Sequence, residues 1–183
     1  MKYVATILAS IQDKDIFVTP EFVAPLSYEK RVTVKAIVRN EKGQFAFVTN
    51  PIHKFYLLAG GGAESEDLEK EIQRECMEEV RYEVDVVREI GRIHEFRNRS
   101  AKEYESICFL TESKKEVSED LRTEDEKKNE LAVVWFNPKE AQKVLAEQVE
   151  LVKQGKVGFY NTAFNIVRDQ LFFEEFLQKE NME

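Results

Sequence analysis

Alternating hydrophobic positions in the first third of the chain predict a β-hairpin. Apolar residues occupy positions 32, 34, 36 and 38, the sequence Asn-Glu-Lys-Gly at 40–43 is typical of a turn, and the alternation resumes at Phe45 and Phe47. A period of two residues is typical of strands with one buried face. Four further segments have the composition of strands: residues 55–58, 84–96, 104–111 and 132–136.

Helical spacing replaces this alternation after the glycines at 60–62 and predicts a helix over residues 66–81. Its apolar residues are Leu68, Ile72, Cys76, Met77 and Val80. Ser65 is a suitable N-cap, and Glu66 and Asp67 suit the positive end of the helix dipole. The order along the chain is therefore strand, glycine loop and helix.

Two further helices are predicted in the C-terminal part of the chain. The first begins at residues 137–140, where Asn137 caps the helix, Pro138 occupies the first turn and Glu140 the third position. The second lies between Phe159 and Leu177 and holds five of the thirteen phenylalanines. We expect this tail to pack against its own domain; a homodimer interface is the alternative.

The length and composition indicate one folded unit. With 183 residues, of which 43% are hydrophobic, the chain suits a single domain over residues 1–183. We predict an α/β fold with a mixed β-sheet and helices on its faces. Residues 1–30 form an N-terminal strand or hairpin extension, and residues 155–180 a C-terminal helical extension. The charged residues 112–130 predict a mobile surface loop.

Charge and cysteine content exclude several classes of protein. A net charge of −8 and a pI near 5.1 argue against binding to nucleic-acid polymers, which needs clustered lysine and arginine. Cys76 and Cys108 are too few for a zinc cluster or a disulfide framework, so we expect a reducing, cytoplasmic compartment. The apolar run at residues 3–8 is too short for a signal sequence or a membrane span.

The predicted helix carries acidic residues beside its apolar stripe. At about 100° per residue, Glu75 and Glu79 fall near the apolar Ile72. Glu71, Glu75 and Glu79 are also successive i, i+4 neighbours, and each like-charged pair disfavours a helix by about a few tenths of a kcal/mol. A divalent cation such as Mg²⁺ or Mn²⁺ would offset this repulsion beside a phosphate. An ordinary solvated acidic face is the alternative.

These residues resemble the signature of the Nudix hydrolases. The signature consists of glycine, five residues, glutamate, seven residues, and then Arg-Glu-aliphatic-x-Glu-Glu-x-Gly-aliphatic. The matching positions, within residues 60–82, are Gly60, Glu66, Arg74, Glu75, Cys76, Glu78, Glu79, Arg81 and Tyr82. The spacing from Gly60 to Glu79 has no gap, and so many fixed positions make the match specific. The resemblance implies a Nudix-like α/β/α sandwich.

Three features depart from the family pattern. Arg81 replaces the glycine after the helix, and because a non-glycine residue in a left-handed cap costs about 1 kcal/mol, we expect the helix to end differently. Ala59 replaces a proline. The loop at residues 63–65 lacks the usual glycine, and an alignment on Gly61 instead of Gly60 needs a deletion of one residue there. The glutamates of the core motif are all present.

The resemblance implies metal-dependent hydrolysis of the pyrophosphate bond in a nucleoside diphosphate linked to another group. The substrate would be a small nucleotide: a nucleoside triphosphate, a dinucleotide, or a nucleotide sugar or ADP-ribose. The ligands for Mg²⁺ or Mn²⁺ carried over by motif position are Glu75, Glu78, Glu79 and the carbonyl of Gly60 or Gly61. Arg74 would orient a carboxylate through two hydrogen bonds. Glu66 would tie the loop to the helix.

The general base is less well defined than the metal ligands. The family supplies it either from Glu75 or from a later loop, where Glu124, Glu126 and Glu130 are the candidates. Glu130 precedes the strand predicted at 132–136, in a place that resembles the family's late glutamate. Weaker candidates for contact with a substrate are His53, His94, Arg92, Arg97, Arg99, Phe55 and Tyr56.

Two other hypotheses remain for the whole chain. One is a Nudix-like module that binds a nucleotide or a protein without hydrolysing it. The other is a structural protein with a solvated acidic helix, which predicts little stabilisation by Mg²⁺, whereas an ordered metal site predicts a melting temperature that rises with the cation.

Overall fold

The computed structural model describes residues 6–52, 54–122, 124–128 and 130–181, except the side chains of residues 125 and 126. His53 and the first five residues lie outside the described residues. The strands are β1 (Ile7–Gln12), β2 (Glu29–Arg39), β3 (Phe45–Thr49), β4 (Tyr82–Arg97), β5 (Lys102–Glu116) and β6 (Ala132–Phe136). The helices are α1 (Asp13–Ile16), α2 (Leu68–Glu75), α3 (Glu124–Lys128), α4 (Pro138–Lys153) and α5 (Tyr160–Glu180).

A mixed six-stranded sheet forms the centre of the protein, with strand order β1-β4-β5-β2-β3-β6. The pairs β1–β4 and β2–β5 are parallel, and the other three pairs are antiparallel. The predicted hairpin is β2–β3, and β1 lies at one edge of the sheet. The predicted α/β fold with a mixed sheet is therefore confirmed.

Residues 57–62 lie between two strands that diverge. β2 and β3 pair over only two residues at their hairpin end. Beyond that point Leu57 bridges to β3, while Ala59 and Gly62 bridge to β2. The strand predicted at 55–58 is thus an extended segment with isolated bridges rather than a regular strand. It brings the glycines into the plane of the sheet.

Each face of the sheet has its own core. On one face, α2 and the turn after it bury Ile72, Cys76 and Val80 against residues 34, 36 and 38 of β2. On the other face, α4 and α5 bury side chains such as Leu145 against Ile37. The sheet is therefore covered by helices on both faces, as in an α/β/α sandwich.

Helix α5 supplies most of the aromatic side chains of the second core. Phe164, Phe172, Phe173 and Phe176 are at most 1% exposed, and the last two make edge contacts with Phe45. The prediction that the tail packs against its own domain is confirmed, and these rings are unavailable for a dimer interface. Within the described part of the chain, no helix has the length and apolar character needed to cross a membrane.

The charged segment at 112–130 differs from its prediction. β5 continues to Glu116, which pairs with Tyr82 at the start of β4, and residues 124–128 form the short α3. Only part of the segment is therefore loop. The sequence did not indicate this because charged side chains at the outer end of a hairpin remain in water on both faces.

The burial of α5 generates a stability prediction. Phe172→Ala removes a fully buried ring, so we expect it to lower the free energy of unfolding by about 3–5 kcal/mol. Phe159→Ala is the matched control, because this ring is 48% exposed, and it should cost less than about 1 kcal/mol. Urea denaturation followed by circular dichroism measures both. Equal losses for the two variants would contradict the packing of α5.

Candidate active site

The glycine loop is held by hydrogen bonds to both backbone groups of one residue, Gly60. Gly60 has a φ of +128°, and a Cβ atom there would lie 2.0 Å from the carbonyl oxygen of Val34, so only glycine fits. Its N–H donates to Glu79 Oε2 at 2.6 Å, and its carbonyl oxygen accepts from Lys35 Nζ at 2.7 Å. Two of the predicted metal ligands, Gly60 and Glu79, are therefore in contact.

The helix begins two residues later than predicted. Asp67, not Ser65, is the N-cap and accepts a hydrogen bond from the backbone N–H of Lys70. The Ser65 hydroxyl donates to Glu71 Oε1 at 2.8 Å instead. Glu66 is exposed. Among the described contacts, Glu71 rather than Glu66 joins the loop to the helix. The hydrogen bond from Ser65 lowers the pKa of Glu71.

The helix ends with the geometry that the family glycine would give. After Glu75 the backbone widens into a π-helical turn over Cys76–Val80, and Arg81 follows in the left-handed region with φ +64°. The expectation that the chain would end this helix differently was wrong. Arg81 accepts this conformation while its guanidinium donates to the carbonyl oxygens of Val117 and Ser118 beyond β5.

Arg74 gathers three carboxylates of the helix. One terminal nitrogen donates to Glu78 at 2.9 Å, and the other donates to Glu75 at 2.7 Å and to Glu71 at 3.1 Å. Partial burial opposes the charge of Arg74, but the hydrogen bonds of Glu71 and Glu78 outweigh it and raise its pKa. This guanidinium is the positive partner that the i, i+4 repulsion required.

Glu75 lies under the glycine loop and is nearly inaccessible to water. It is 6% exposed, and burial raises its pKa even though Arg74 acts in the opposite direction. A Cβ atom at Gly61 would lie 2.7 Å from Glu75 Oε1. The acidic face of α2 therefore overlaps its buried edge, as the helical angles predicted, and a glycine provides the space in front of this carboxylate.

Lys35 is a buried cation that the motif did not reveal. It lies on β2 between Val34 and Ala36 and is 8% exposed. Burial lowers its pKa, and the nearby Arg168 lowers it further, whereas the carboxylates of Asp169 and Glu79 raise it. The sequence feature that could have indicated a buried lysine is its position inside a strand, directly between two apolar residues.

Two buried side chains from the C-terminal helices support the segment before the glycines. Gln148 of α4 accepts from the N–H of Tyr56 at 2.6 Å and donates to its carbonyl oxygen at 3.0 Å. Asp169 of α5 accepts from the N–H of Leu58 at 2.9 Å and pairs with Arg168. These side chains take the place of a missing neighbouring strand, and nothing in the local sequence identified them.

The candidate general bases lie beyond α2. Glu130 is exposed, has φ +53° and directly precedes Leu131. Leu131 lines a cavity of about 300 Å³ together with Glu79 and Trp135, which brings this turn close to the helix. Glu124 is exposed on α3, and the side chain of Glu126 lies outside the described residues.

The arginines considered as phosphate contacts have partners within the protein. Arg92 pairs with two glutamates of the sheet, Arg97 is buried and pairs with Glu95, and Arg99 lies over the ring of Phe22. Arg97 is therefore neither a surface charge nor a free cation. A cleft of about 650 Å³ runs from the glycine loop across the sheet, and Arg92 lies on its wall.

The other weak candidates occupy ordinary positions. Phe55 and Tyr56 pack against the core beneath α4 and α5 and do not line either cavity. His94, on β4, has its Nδ1 atom 3.5 Å from a carboxylate oxygen of Glu103. Trp135 is partly buried and packs against the core below α2.

The carboxylates do not converge on a common point. Within the described part of the chain, no three Asp, Glu, His or Cys side chains are arranged to hold a metal ion. The contacts explain this arrangement. Arg74 draws Glu71, Glu75 and Glu78 to itself, and Glu79 faces the N–H of Gly60.

The contact between Gly61 and Glu75 generates a second stability prediction. Gly61→Ala pushes a methyl group into a carboxylate that Arg74 holds in place, so we expect a loss of about 1–3 kcal/mol in the free energy of unfolding. Gly62→Ala is the matched control, because its Cβ atom would meet no heavy atom within 4 Å. Urea denaturation of both variants tests this. A Gly61→Ala variant as stable as Gly62→Ala would show that the carboxylate moves freely.

Comparisons with known proteins agree with the motif. The NUDIX domain profile matches residues 29–154. No curated protein sequence matches the chain significantly. A NUDIX hydrolase from Nitrosomonas europaea is 16% identical with a TM-score of 0.52, over 77% of this chain and 88% of that chain. A MutT protein from Methanosarcina mazei Go1 is 18% identical with a TM-score of 0.50, over 87% and 100%.

A UDP-X diphosphatase is also similar, at 17% identity and a TM-score of 0.47 over 63% of this chain, and the chain spans about half of its length, 54%. The two solved structures with TM-scores of 0.52 and 0.50 share the fold of this chain. The profile covers more than half of the chain, and it includes the glycine loop and α2. The chain therefore belongs to the Nudix family.

Proposed function

We propose that this chain is a metal-dependent pyrophosphohydrolase that cleaves a nucleoside diphosphate linked to another group. The observation that supports this most is the position of Glu75 and Glu79 at the glycine loop: Glu79 accepts from the N–H of Gly60, and Glu75 lies in front of Gly61. A pyrophosphate is anionic, so an acidic helix face binds it only through cations. Hydrolysis of nucleoside diphosphate derivatives is also the activity that the Nudix domain implies.

The types of donor atom present are those that a hard divalent cation prefers. The proposed ligands are the carboxylates of Glu75, Glu78 and Glu79 and the carbonyl oxygen of Gly60, and Mg²⁺ and Mn²⁺ prefer such oxygen ligands. The fit is supported by Gly61, because any side chain there would fill the space in front of Glu75. When bound, the cation supplies neutralisation of phosphate charge and activation of water.

The side chains around this site have separate tasks in the proposal. Arg74 orients Glu75 and Glu78 from its two terminal nitrogens, a planar geometry that lysine does not reproduce. The N–H of Gly60 fixes the direction of Glu79. Glu130 is our proposed general base, since it is exposed and directly precedes Leu131, which lines the same cavity as Glu79.

The proposed substrate site is the cleft of about 650 Å³ that begins at Gly62. Its volume is typical of sites for small molecules. The cations and carboxylates on its wall are equal in number: Lys30, Arg31, Arg92, Glu64, Glu66 and Glu105. Val32 and Ile107 offer an apolar surface for a base or sugar. We therefore propose a small nucleotide derivative as the partner.

A nucleotide-binding module without turnover is the second candidate function. The observation that favours it is the internal pairing of the carboxylates, which do not converge within the described part of the chain. In such a module Arg74 would keep its partners permanently. The two candidates differ in whether a divalent cation produces turnover.

Turnover of a substrate panel tests the proposal. We would measure phosphate and nucleotide products from nucleoside triphosphates, dinucleotides, ADP-ribose and nucleotide sugars, with Mg²⁺ or Mn²⁺. Glu78→Gln and Glu79→Gln should each lower kcat by about 100-fold or more, because each removes a proposed ligand to the cation.

The control for this experiment is Glu69→Gln. Glu69 lies on the same helix but is exposed, so its variant should keep turnover within about twofold of the wild type. Absence of wild-type turnover, together with stabilisation by nucleotides in a melting assay, would overturn hydrolysis and support the binding module. Turnover that survives chelation of the metal would overturn the role of the cation.

A further inference from the structure

Lys35 points away from the glutamate helix yet reaches the glycine loop. Along β2 the neighbours Val34 and Ala36 face α2, so Lys35 faces the helices on the opposite side of the sheet. Its Nζ atom donates to the carbonyl oxygen of Gly60 at 2.7 Å. The same oxygen is a proposed metal ligand. A protein cation therefore already contacts one ligand of the site.

The shape of the loop does not depend on this lysine. Three backbone hydrogen bonds of 3.0 Å join β2 to the loop. The N–H groups of Val34 and Ala36 on β2 donate to carbonyl oxygens of the loop, and the N–H of Ala63 in the loop donates to a carbonyl oxygen of β2. Gly60 is further fixed because a larger residue does not fit. Burying an ammonium group costs several kcal/mol unless compensating charges surround it. The role of Lys35 is therefore one of charge.

The charges near Lys35 come from the proposed metal site and from α5. Glu75 and Glu79 interact electrostatically with Lys35 from the loop side, and Asp169 and Arg168 do so from α5. Glu75 is itself buried. Lys35 therefore adds a positive charge near the carboxylates of the proposed site, in addition to that of Arg74.

We propose that Lys35 is an internal counter-ion of the metal-free site, which holds the Gly60 carbonyl oxygen and competes with the divalent cation for it. This inference rests on the proposed function, because it concerns the same cation. An ammonium and a divalent cation on one oxygen repel each other strongly in a poorly solvated site. The lysine therefore weakens metal binding.

Two cations of the protein contact different groups of the proposed site. Arg74 occupies the outer side of the glutamates, and Lys35 occupies the carbonyl on the inner side. Metal binding would require Lys35 to release Gly60 or share it.

A direct titration of Mn²⁺ tests this role without any substrate. Free Mn²⁺ would be followed by electron paramagnetic resonance in wild type, Lys35→Met, Lys35→Arg and the control Lys70→Met. Lys70 carries the same charge on α2 with a side chain that is 79% exposed. We expect Lys35→Met to bind Mn²⁺ about tenfold more tightly. Lys35→Arg and Lys70→Met should stay within about twofold of wild type, since the charge is kept or is screened by solvent.

Each outcome decides between roles. Unchanged binding by Lys35→Met would assign the lysine to packing alone, and weaker binding would show that it shapes a ligand, so either result overturns competition. If Lys35→Met does not fold, Lys35→Gln keeps a donor without the charge and carries the same expectation. A wild type that binds no Mn²⁺ would overturn the metal site itself, whereas unchanged affinity in the variant overturns only the role of Lys35.

Discussion

The bridging of residues 57–62 to β3 and β2 is the constraint on which the rest of the site depends. It exists because these strands pair at only one end and leave a gap that an extended segment fills. The bridges place Gly60 against Glu79 and Gly61 against Glu75. Since backbone atoms make them, the geometry survives the alanine at position 59. The loop also remains joined to α2, through Ser65 and Glu71.

Charge balance is the second organising principle of this region. A helix with glutamates at successive turns is stable here because a single guanidinium serves three of them. Such a shared partner satisfies the carboxylates one hydrogen bond at a time and leaves acceptor capacity on each. The carboxylates are thus well paired within the protein, and the site is still rich in oxygen atoms.

The sequence indicated most of the fold and the motif because their signals are local. The hairpin β2–β3, the start of α4 at Asn137 and the glycine loop followed by an acidic helix each depend on residues within one element. The family prediction is confirmed by the domain profile. The identities of the metal ligands and of the general base remain predictions.

The features that the sequence did not reveal depend on distant contacts or on competition between similar groups. Asp169 meets Leu58 across 111 residues, and Gln148 meets Tyr56 across 92. The observed helix cap is Asp67 and not the predicted Ser65. Both side chains can accept the capping hydrogen bond, and only the loop geometry decides between them. The left-handed Arg81 shows that the fold can impose a conformation which costs about 1 kcal/mol.

Gln148 and Asp169 support the segment before the glycines, so that segment and the C-terminal helices depend on each other when the chain is divided. The domain profile ends at residue 154, but Asp169 and the phenylalanines of α5 lie beyond it. A fragment of residues 29–154 would leave the N–H of Leu58 without its acceptor and one face of the sheet uncovered. In a chimera with another Nudix protein, the segment before the glycines and the C-terminal helix would have to be exchanged as a matched pair.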